Sequence, residues 1–184
     1  MKRVKVMTVV VAYNPYNGGF FPRCLDALKA IKLTNDTYDI DHQILVVDNA
    51  SSDEAHIRVR KAYPYIEVVF SRDNLGYAGG NNLGFERALA RQADYVAVVT
   101  QDVTVDESWL LEAVTAAESD EKIGVVQPLL MLWPKQDTVN STGNAIHFLG
   151  YGYANQYGTK REALGELTVR DVPYASGAVI LIRA

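Results

Sequence analysis

Four short polar segments of the sequence could do chemistry, because each follows an apolar run. They are Tyr13-Asn14, Asp48-Asn49, Asp73-Asn74 with the glycines after it, and Gln101-Asp102. Carboxylates accept hydrogen bonds from N–H and O–H groups, and together with ligand phosphates they hold Mg²⁺ or Mn²⁺. Backbone N–H groups at the start of a helix bind anionic oxygens. If the four segments meet, they favour the binding of a phosphorylated ligand with a divalent cation.

Asp48 allows two interpretations. Its carboxylate directly follows the apolar run at residues 43–47, where it could accept a hydrogen bond from a nucleobase N–H or a ribose hydroxyl. Aspartate also commonly satisfies N–H groups of its own turn. Position alone does not decide between the ligand contact and the local one.

Asp102 ends another apolar run, at residues 95–100. In one interpretation it holds Mg²⁺ or Mn²⁺, which proteins often bind through one or two carboxylates plus substrate phosphates. In the other it caps the next helix, although Asp106 lies nearer to that helix and fits the role better. The sequence leaves both roles open.

The glycine segment, residues 76–84, contains four glycines. Glycine lets a backbone approach a ligand closely or adopt positive φ. The segment is neither a Walker loop nor a Rossmann fingerprint, because Gly-Lys-Ser/Thr is absent and the first strand lacks G-x-G-x-x-G. It could therefore shape an anion-binding surface, or it could be a tight turn followed by a closely packed helix.

An alternation of β-branched runs and amphipathic helical patterns positions these segments. The predicted strands span residues 4–12, 43–47, 66–71, 95–100, 123–126 and 178–182. The predicted helices begin near Pro22, at a capping box of Ser51 and Glu54, after the glycine segment, and before Trp109. This alternation predicts an α/β fold with a mostly parallel sheet, and ligands bind beyond the carboxyl ends of such strands.

The pattern changes after residue 127. Residues 128–175 are rich in Gly, Tyr, Asn and Thr, and they predict short strands and loops that cover one edge of the sheet. Tyr151, Tyr153 and Tyr157 could form an aromatic wall for a sugar ring, or they could be partly buried edge residues.

Composition excludes several classes of protein. The net charge of -4 provides no basic field for nucleic acid, and no apolar run approaches the ~20 residues of a membrane helix. A single cysteine, Cys24, builds no disulfide and fits a reducing compartment, so we expect a cytoplasmic protein. His42, His56 and His147 lack metal-ligand spacing, and we expect each to be ordinarily paired or at the surface.

Four segments carry a family resemblance, and together they extend it over nearly the whole chain. Residues 46–53, VVDNASSD, resemble the VVDNxSxD segment of family 2 glycosyltransferases, and residues 74–84, NLGYAGGNNLG, resemble their NxGfagGxNxG segment, in particular that of the rhamnosyltransferase-like branch. Residues 98–102 stand where the family has its DxD-type metal motif, and residues 173–178 resemble a later, acceptor-side segment. The resemblance implies a GT-A-like αβα sandwich.

The resemblance also implies roles for individual residues. Asp102 would hold Mg²⁺ or Mn²⁺. The first strand and Asp48 would contact the base, the glycine segment would shape the ribose and diphosphate surface, and residues 176–177 would lie near the sugar or acceptor. The residues implied to bind the nucleotide-sugar are Ala12, Tyr13, Asp48, Asn74, Gly76, Gly80, Ser176 and Gly177.

Two departures from the family pattern matter. Thr100 stands where the family often has Asp or Asn, so a metal would depend more on phosphate oxygens and water. The family's catalytic base normally lies downstream of the segment that matches Ser176-Gly177. We therefore expect a chain truncated before its base, with no catalytic residue of its own and little or no transfer activity. Residues 1–127 would form the donor-binding half, and residues 128–184 the start of an acceptor-side region in the same domain.

The implied full-length reaction is inverting, metal-assisted transfer of a sugar, with rhamnose as the family's suggestion. The donor would be a nucleotide-diphosphate sugar and the acceptor a saccharide or lipid-linked saccharide in cell-surface polysaccharide synthesis, in the cytoplasm or at the inner face of the membrane with peripheral contact only. A non-catalytic nucleotide-binding module is the alternative. A nucleotidyltransferase is disfavoured, because the loop at residues 13–19 has no Lys or Arg.

Overall fold

A six-stranded sheet with the order β3-β2-β1-β4-β10-β5 forms the centre of the molecule. The computed structural model describes all residues from 1 to 184. The strands are β1 (Lys2–Ala12), β2 (Tyr38–Asn49), β3 (Glu67–Ser71), β4 (Tyr95–Val99), β5 (Val125–Val126), β6 (Leu130–Met131), β7 (Val139–Ser141), β8 (Asn144–Ile146), β9 (Gly152–Ala154) and β10 (Val179–Arg183). The helices are α1 (Phe21–Lys29), α2 (Ala55–Ala62), α3 (Gly76–Ala90) and α4 (Trp109–Glu118), with 3₁₀ turns at Pro15–Asn17 and Arg161–Leu164.

Most of the sheet is parallel, as the alternation of strands and helices predicted. β1 pairs in parallel with β2 and β4, and β3 pairs in parallel with β2. Only β10 breaks the pattern, because it runs antiparallel between β4 and β5. The register of β1 and β2 extends to Ala12 opposite Asp48, so the carboxyl ends of these two strands are level.

Both faces of the sheet are buried, which explains the continuous apolar runs of the central strands. The larger core cluster lies on one face and includes Phe21 and Leu25 of α1, Val59 of α2 and Leu110 of α4. The smaller cluster lies on the other face, under α3, and includes Ala88. α3 is therefore the only helix that packs on this second face of the sheet.

Two glycines let α3 lie unusually close to the sheet. A Cβ on Gly80 would stand 2.7 Å from Val11 Cγ1, and a Cβ on Gly84 would stand 2.3 Å from Val9 Cγ1. Both distances are below van der Waals contact, so any side chain would push the helix away from β1. The glycine segment thus forms the first turns of the helix itself, and close packing explains Gly80.

Two local predictions were wrong. β2 begins at Tyr38 instead of residue 43. Polar residues at its start indicated a loop, but they pair with β1 along their whole length. The capping box of Ser51 and Glu54 does not form. Glu54 has a left-handed backbone (φ 54°) without a side-chain cap, and α2 begins one residue later.

Residues 128–175 form short strands joined by loops, as predicted, and these strands pair in antiparallel fashion. β6 pairs with β7, and β8 pairs with β9. The β8–β9 hairpin contacts the segment before β10, because Asn144 N donates to Tyr174 O at 3.2 Å. Tyr151, Tyr153 and Tyr157 are about half exposed or more, which fits both an aromatic wall and partly buried edge residues, and their contact with a sugar stays a prediction. None of the helices has the length and hydropathy needed to cross a membrane.

Candidate functional site

The ends of four strands bring the predicted site residues to one edge of the sheet. β2, β1 and β4 all end there, and β10 starts there because it runs in the opposite direction. Thr100 N donates to Ala178 O at 3.0 Å, which holds the β4 end against the β10 start. Asp48 and the segment after β4 are separated by two strand spacings, about 10 Å. The carboxylates at positions 48 and 102 therefore share one edge, which we call the carboxyl edge.

Gln101 joins the ends of β1 and β4. Its Oε1 accepts a hydrogen bond from Tyr13 N at 2.9 Å, and its Nε2 donates to Tyr13 O at 3.3 Å. The side-chain amide thus hydrogen-bonds to both the backbone N–H and the backbone C=O of Tyr13, as the backbone of a neighbouring strand would. The ring of Tyr13 remains about half exposed at the edge.

Asn14 joins the loops after β1 and β2. Its backbone is left-handed (φ 45°), which asparagine tolerates better than most residues. Asn14 N donates to Ser51 Oγ at 3.0 Å, and Asn14 Oδ1 accepts from Ser52 N at 2.8 Å. Nearby, Tyr16 N donates to one carboxylate oxygen of Asp53, whose other oxygen is buried without a partner.

Asp48 is fully buried, and its carboxylate is occupied by its own turn. Oδ1 accepts from Ser51 N at 3.0 Å, while Oδ2 accepts from His56 N at 2.8 Å and lies 2.7 Å from His56 Nδ1. This is the local interpretation that the sequence left open, and it explains why α2 needs no capping box. A contact between Asp48 and a nucleobase stays a prediction, and it would require one of these bonds to be exchanged.

Asn49 fixes the loop that leads into α3. It is buried, its Oδ1 accepts from Leu75 N at 2.8 Å, and its Nδ2 donates to Asn74 Oδ1 at 2.9 Å and to Gly76 O at 3.2 Å. Asn74 Oδ1 also accepts from Gly76 N at 2.9 Å. Gly76 has φ 68°, a conformation that glycine adopts without strain. Asn74 and Gly76 are thus exposed at the edge in a fixed geometry.

The first turn of α3 presents free amides. The N–H groups of Tyr77 and Ala78 donate to no acceptor of the chain, so they are available to an anion. The Tyr77 hydroxyl donates to Gly177 O at 2.6 Å, which brings the segment before β10 to this helix. Ser176 N donates to Gln127 Oε1 at 2.6 Å, which fixes the same segment from the other side.

Asp102 is exposed, and its carboxylate makes no hydrogen bond or ion pair. It caps no helix, because Asp106 accepts from Ser108 N and Oγ before α4. Burial, with a smaller effect of the negative charge of Asp102, raises the pKa of the Cys24 thiol to about 12. No three His, Cys, Asp or Glu side chains gather into a metal-binding group. The arrangement suits a cation whose remaining ligands are phosphate and water oxygens.

A cavity lies elsewhere, toward the amino ends of the strands. It has a volume of about 470 Å³, and its lining includes His42, Tyr65 and Arg91. His42 there is hydrogen-bonded to Thr8 Oγ1 at 2.8 Å, and burial lowers its pKa to about 4. Because the free amides and the unpaired carboxylate are at the opposite edge, we place the candidate site there.

Three residues with structural roles at the edge were missed by the sequence reasoning. Asn49 is the second residue of the polar pair at the end of β2, and Gln101 is the first residue of the pair at the end of β4. Tyr77 lies within the glycine segment. The polar pairs were a signal for Asn49 and Gln101, and the glycine segment was the signal for Tyr77. Their partners lie 26 to 100 residues away in the chain, which the sequence does not reveal.

A comparison with protein families gives a match to the family described as Glycosyl transferase family 2, over residues 8–161. No curated protein sequence matches the chain significantly.

Solved structures share the fold. A mannosyltransferase from Pyrobaculum calidifontis in complex with GDP-Man and Mn²⁺ has a TM-score of 0.62 at 17% identity, covering 99% of this chain and 45% of that one. S. aureus TarS 1-349 has a TM-score of 0.61 at 18% identity, covering 98% and 47%. TarS 1-349 in complex with UDP-GlcNAc has a TM-score of 0.56 at 19% identity, covering 70% and 35%. The expected GT-A-like α/β fold is confirmed, and the chain spans between a third and a half of these proteins.

Proposed function

The chain belongs to glycosyl transferase family 2, and from this membership we propose that it is the donor-binding part of an inverting, metal-assisted glycosyltransferase. One observation carries the proposal: the free amides of α3, the unpaired carboxylate of Asp102 and the start of β10 share the carboxyl edge. Amides and a cation together compensate the negative charge of a diphosphate. The proposed ligand is a nucleotide-diphosphate sugar.

The proposed donor lies along the edge from β2 to β10. Its base contacts Ala12 and Tyr13, with Asp48 as a further partner after exchange of one of its present hydrogen bonds. Its ribose and diphosphate lie on the surface formed by Asn74, Gly76 and the first turn of α3, where Gly80 keeps the helix close to the strand. Its sugar points toward Ser176 and Gly177. The fixed backbones of Tyr13 and Gly76 support this assignment.

Asp102 is the proposed protein ligand of Mg²⁺ or Mn²⁺. The metal, when bound, would offset the charge that grows on the leaving diphosphate. Its affinity for the chain should be weak without nucleotide, because a single carboxylate contributes few of the ligands that either cation prefers. The exposure of Asp102 and its freedom from other partners support this role.

In the proposed reaction an acceptor hydroxyl attacks the anomeric carbon, and the bond from that carbon to the diphosphate oxygen breaks on the opposite face. The hydroxyl proton passes to a carboxylate base, a role that we assign to no residue of this chain. Rhamnose is the proposed sugar, and a saccharide or lipid-linked saccharide of cell-surface polysaccharide synthesis, at the cytoplasmic side of the membrane, is the proposed acceptor. Residues 1–127 would bind the donor, and residues 128–184 would begin the acceptor side.

Isothermal titration calorimetry with UDP, GDP and dTDP, each with and without Mn²⁺, tests the proposal. Wild type should bind at least one of them, and Mn²⁺ should strengthen that binding by roughly 10- to 100-fold, within the usual range for coupled sites. Asp102→Ala should abolish the strengthening and leave metal-free binding nearly unchanged. Asp36→Ala removes the same charge from an exposed, unpaired position before β2 and should change neither value.

Two results would contradict this function. Failure of folded wild type to bind any of the three nucleotides would remove the donor site altogether. Equal strengthening by Mn²⁺ in wild type and Asp102→Ala would remove the metal role. That no three His, Cys, Asp or Glu side chains gather at the edge favours, as a second candidate, a nucleotide-binding module without catalysis. Nucleotide binding with no effect of Mn²⁺ in wild type would support that module.

A further inference from the structure

The backbone of Tyr13 is held by a side chain instead of a strand. The parallel pairing of β1 with β4 runs from Val6 opposite Tyr95 to Val9 opposite Val98. Beyond this ladder, the Gln101 side-chain amide makes hydrogen bonds of 2.9 and 3.3 Å to the backbone N–H and C=O of Tyr13. The connection between the two strand ends therefore depends on one flexible side chain.

Gln101 and Asp102 are adjacent, so whatever fixes Gln101 also fixes the start of Asp102. The turn after β4 is closed by Val103 N, which donates to Thr100 O at 3.2 Å. Within this turn the Asp102 carboxylate has no partner that would orient it. The Gln101 amide is therefore the only side-chain bond between this turn and β1, and movement of the turn would shift Tyr13 and Asp102 together.

We propose that Gln101 is a positioning residue that couples the nucleoside-binding end of β1 to the metal-binding carboxylate of Asp102. The inference rests on the proposed function, because it needs a nucleotide beside Tyr13 and a cation at Asp102. Binding of either ligand orders the shared turn, so the second ligand meets a turn that is already ordered. Coupling of this kind is reciprocal, which makes the strengthening of nucleotide binding by metal its measure.

The test compares Gln101→Met with wild type, because methionine has a similar length and no amide. The quantity measured is the ratio of the Kd without Mn²⁺ to the Kd with Mn²⁺, for whichever of UDP, GDP and dTDP wild type binds. We expect Gln101→Met to lower this ratio by about fivefold to tenfold, which corresponds to the loss of one or two ordinary hydrogen bonds. Its Mn²⁺-free Kd should rise by less than about threefold.

Gln43→Met is the matched control, because the Gln43 amide also makes a side-chain hydrogen bond, to Arg91, but lies away from the carboxyl edge. It should leave the ratio at the wild-type value. An equal weakening of binding with and without Mn²⁺ in Gln101→Met would show a merely structural role and overturn the proposal, as would unchanged binding. If wild type bound none of UDP, GDP and dTDP, the proposed function would fail and the coupling with it.

Amide hydrogen exchange separates the connection itself from its consequence for ligands. In the unliganded chain the Tyr13 amide should exchange at least about tenfold faster in Gln101→Met than in wild type. The Asn14 amide, which donates to Ser51 Oγ, should keep its wild-type rate and serves as an internal control. Equal exchange of Tyr13 in both proteins would refute the connection whatever the nucleotides do.

Discussion

At the carboxyl edge of the sheet the loops are tied to one another mainly by amides and hydroxyls, whereas at the amino edge several ties are ion pairs. Asn14, Asn49 and Gln101 make the connections at the first edge. At the second edge Arg3 pairs with Asp41 at 3.0 Å, and Arg91 pairs with Glu67 at 2.6 Å. Lys2 pairs with Glu118 at the same edge.

The difference shows how one sheet can separate rigidity from charge. Neutral amides hold the carboxyl edge in place without placing a cation beside Asp102, so its negative charge stays available. At the amino edge the basic side chain of each ion pair is half exposed or more, and solvent-exposed pairs contribute little to stability. Of the three predictions below, the first and the last test whether the neutral ties are the stronger ones, and the second tests a buried group near the amino edge.

The largest effect is expected for Asn49→Asp. The new carboxylate oxygen would face Asn74 Oδ1 and Gly76 O, two acceptors that Asn49 Nδ2 now satisfies as a donor. A buried charge facing two acceptors should lower the free energy of unfolding by about 3 kcal/mol. Urea unfolding at pH 7.5 measures the change.

Asn35→Asp provides the control for that substitution. Asn35 uses only its Oδ1, which accepts from Thr37 N and Tyr38 N, so aspartate can keep both bonds. Its free energy of unfolding should stay within about 0.5 kcal/mol of wild type. Similar values for the two variants would mean that the amide hydrogens of Asn49 contribute nothing to the edge.

An intermediate effect is expected from acid at His42. Burial lowers its pKa from 6.5 to about 4, so the folded chain favours the neutral ring. The contribution of the neutral His42 ring to the free energy of unfolding is therefore complete above pH 6.5 and is lost progressively as the pH falls toward 4. At pH 5 the loss is about 2 kcal/mol. His42→Gln, which keeps a polar group for Thr8, should lose less stability than wild type between pH 7.5 and pH 5. Parallel curves for the two proteins would refute this assignment.

The smallest effect is expected for Arg91→Ala, which removes the ion pair with Glu67. The arginine side chain is half exposed, so the free energy of unfolding should fall by less than about 1 kcal/mol. The remaining difference should shrink further in about 1 M NaCl, because salt screens exposed charges. A loss as large as that of Asn49→Asp would erase the contrast between the two edges.

The sequence was sufficient for the order of strands and helices and for the common edge of the polar segments. Apolar runs bounded by polar pairs locate the ends of parallel strands, and these ends meet by the geometry of βαβ units. The wrong capping box has a physical cause: the Asp48 carboxylate already supplies an acceptor to His56 N in the first turn of α2. Local patterns cannot show that a residue outside the helix has taken that role.

The ties between loops could not be predicted, because each one joins residues that are distant in sequence. Gln101 and Tyr13 are 88 residues apart, and Tyr77 and Gly177 are 100 residues apart. Gly80 illustrates a second limit. Its position in the sequence indicated either a ligand surface or close packing. The structure is needed to see the packing, because a Cβ on Gly80 would stand only 2.7 Å from Val11 Cγ1. Its contact with a nucleotide remains a prediction.

The hydrogen bonds that hold Tyr13 involve its main chain alone, which frees its side chain for engineering. Any L-amino acid except proline offers the same N–H and C=O to Gln101, so a saturation library at this position should leave the neighbouring scaffold intact. Members of such a library would differ mainly in the group that faces the proposed donor. A cysteine there, labelled with an environment-sensitive dye, would also give an optical test of the proposed nucleotide binding, since the natural Cys24 is buried.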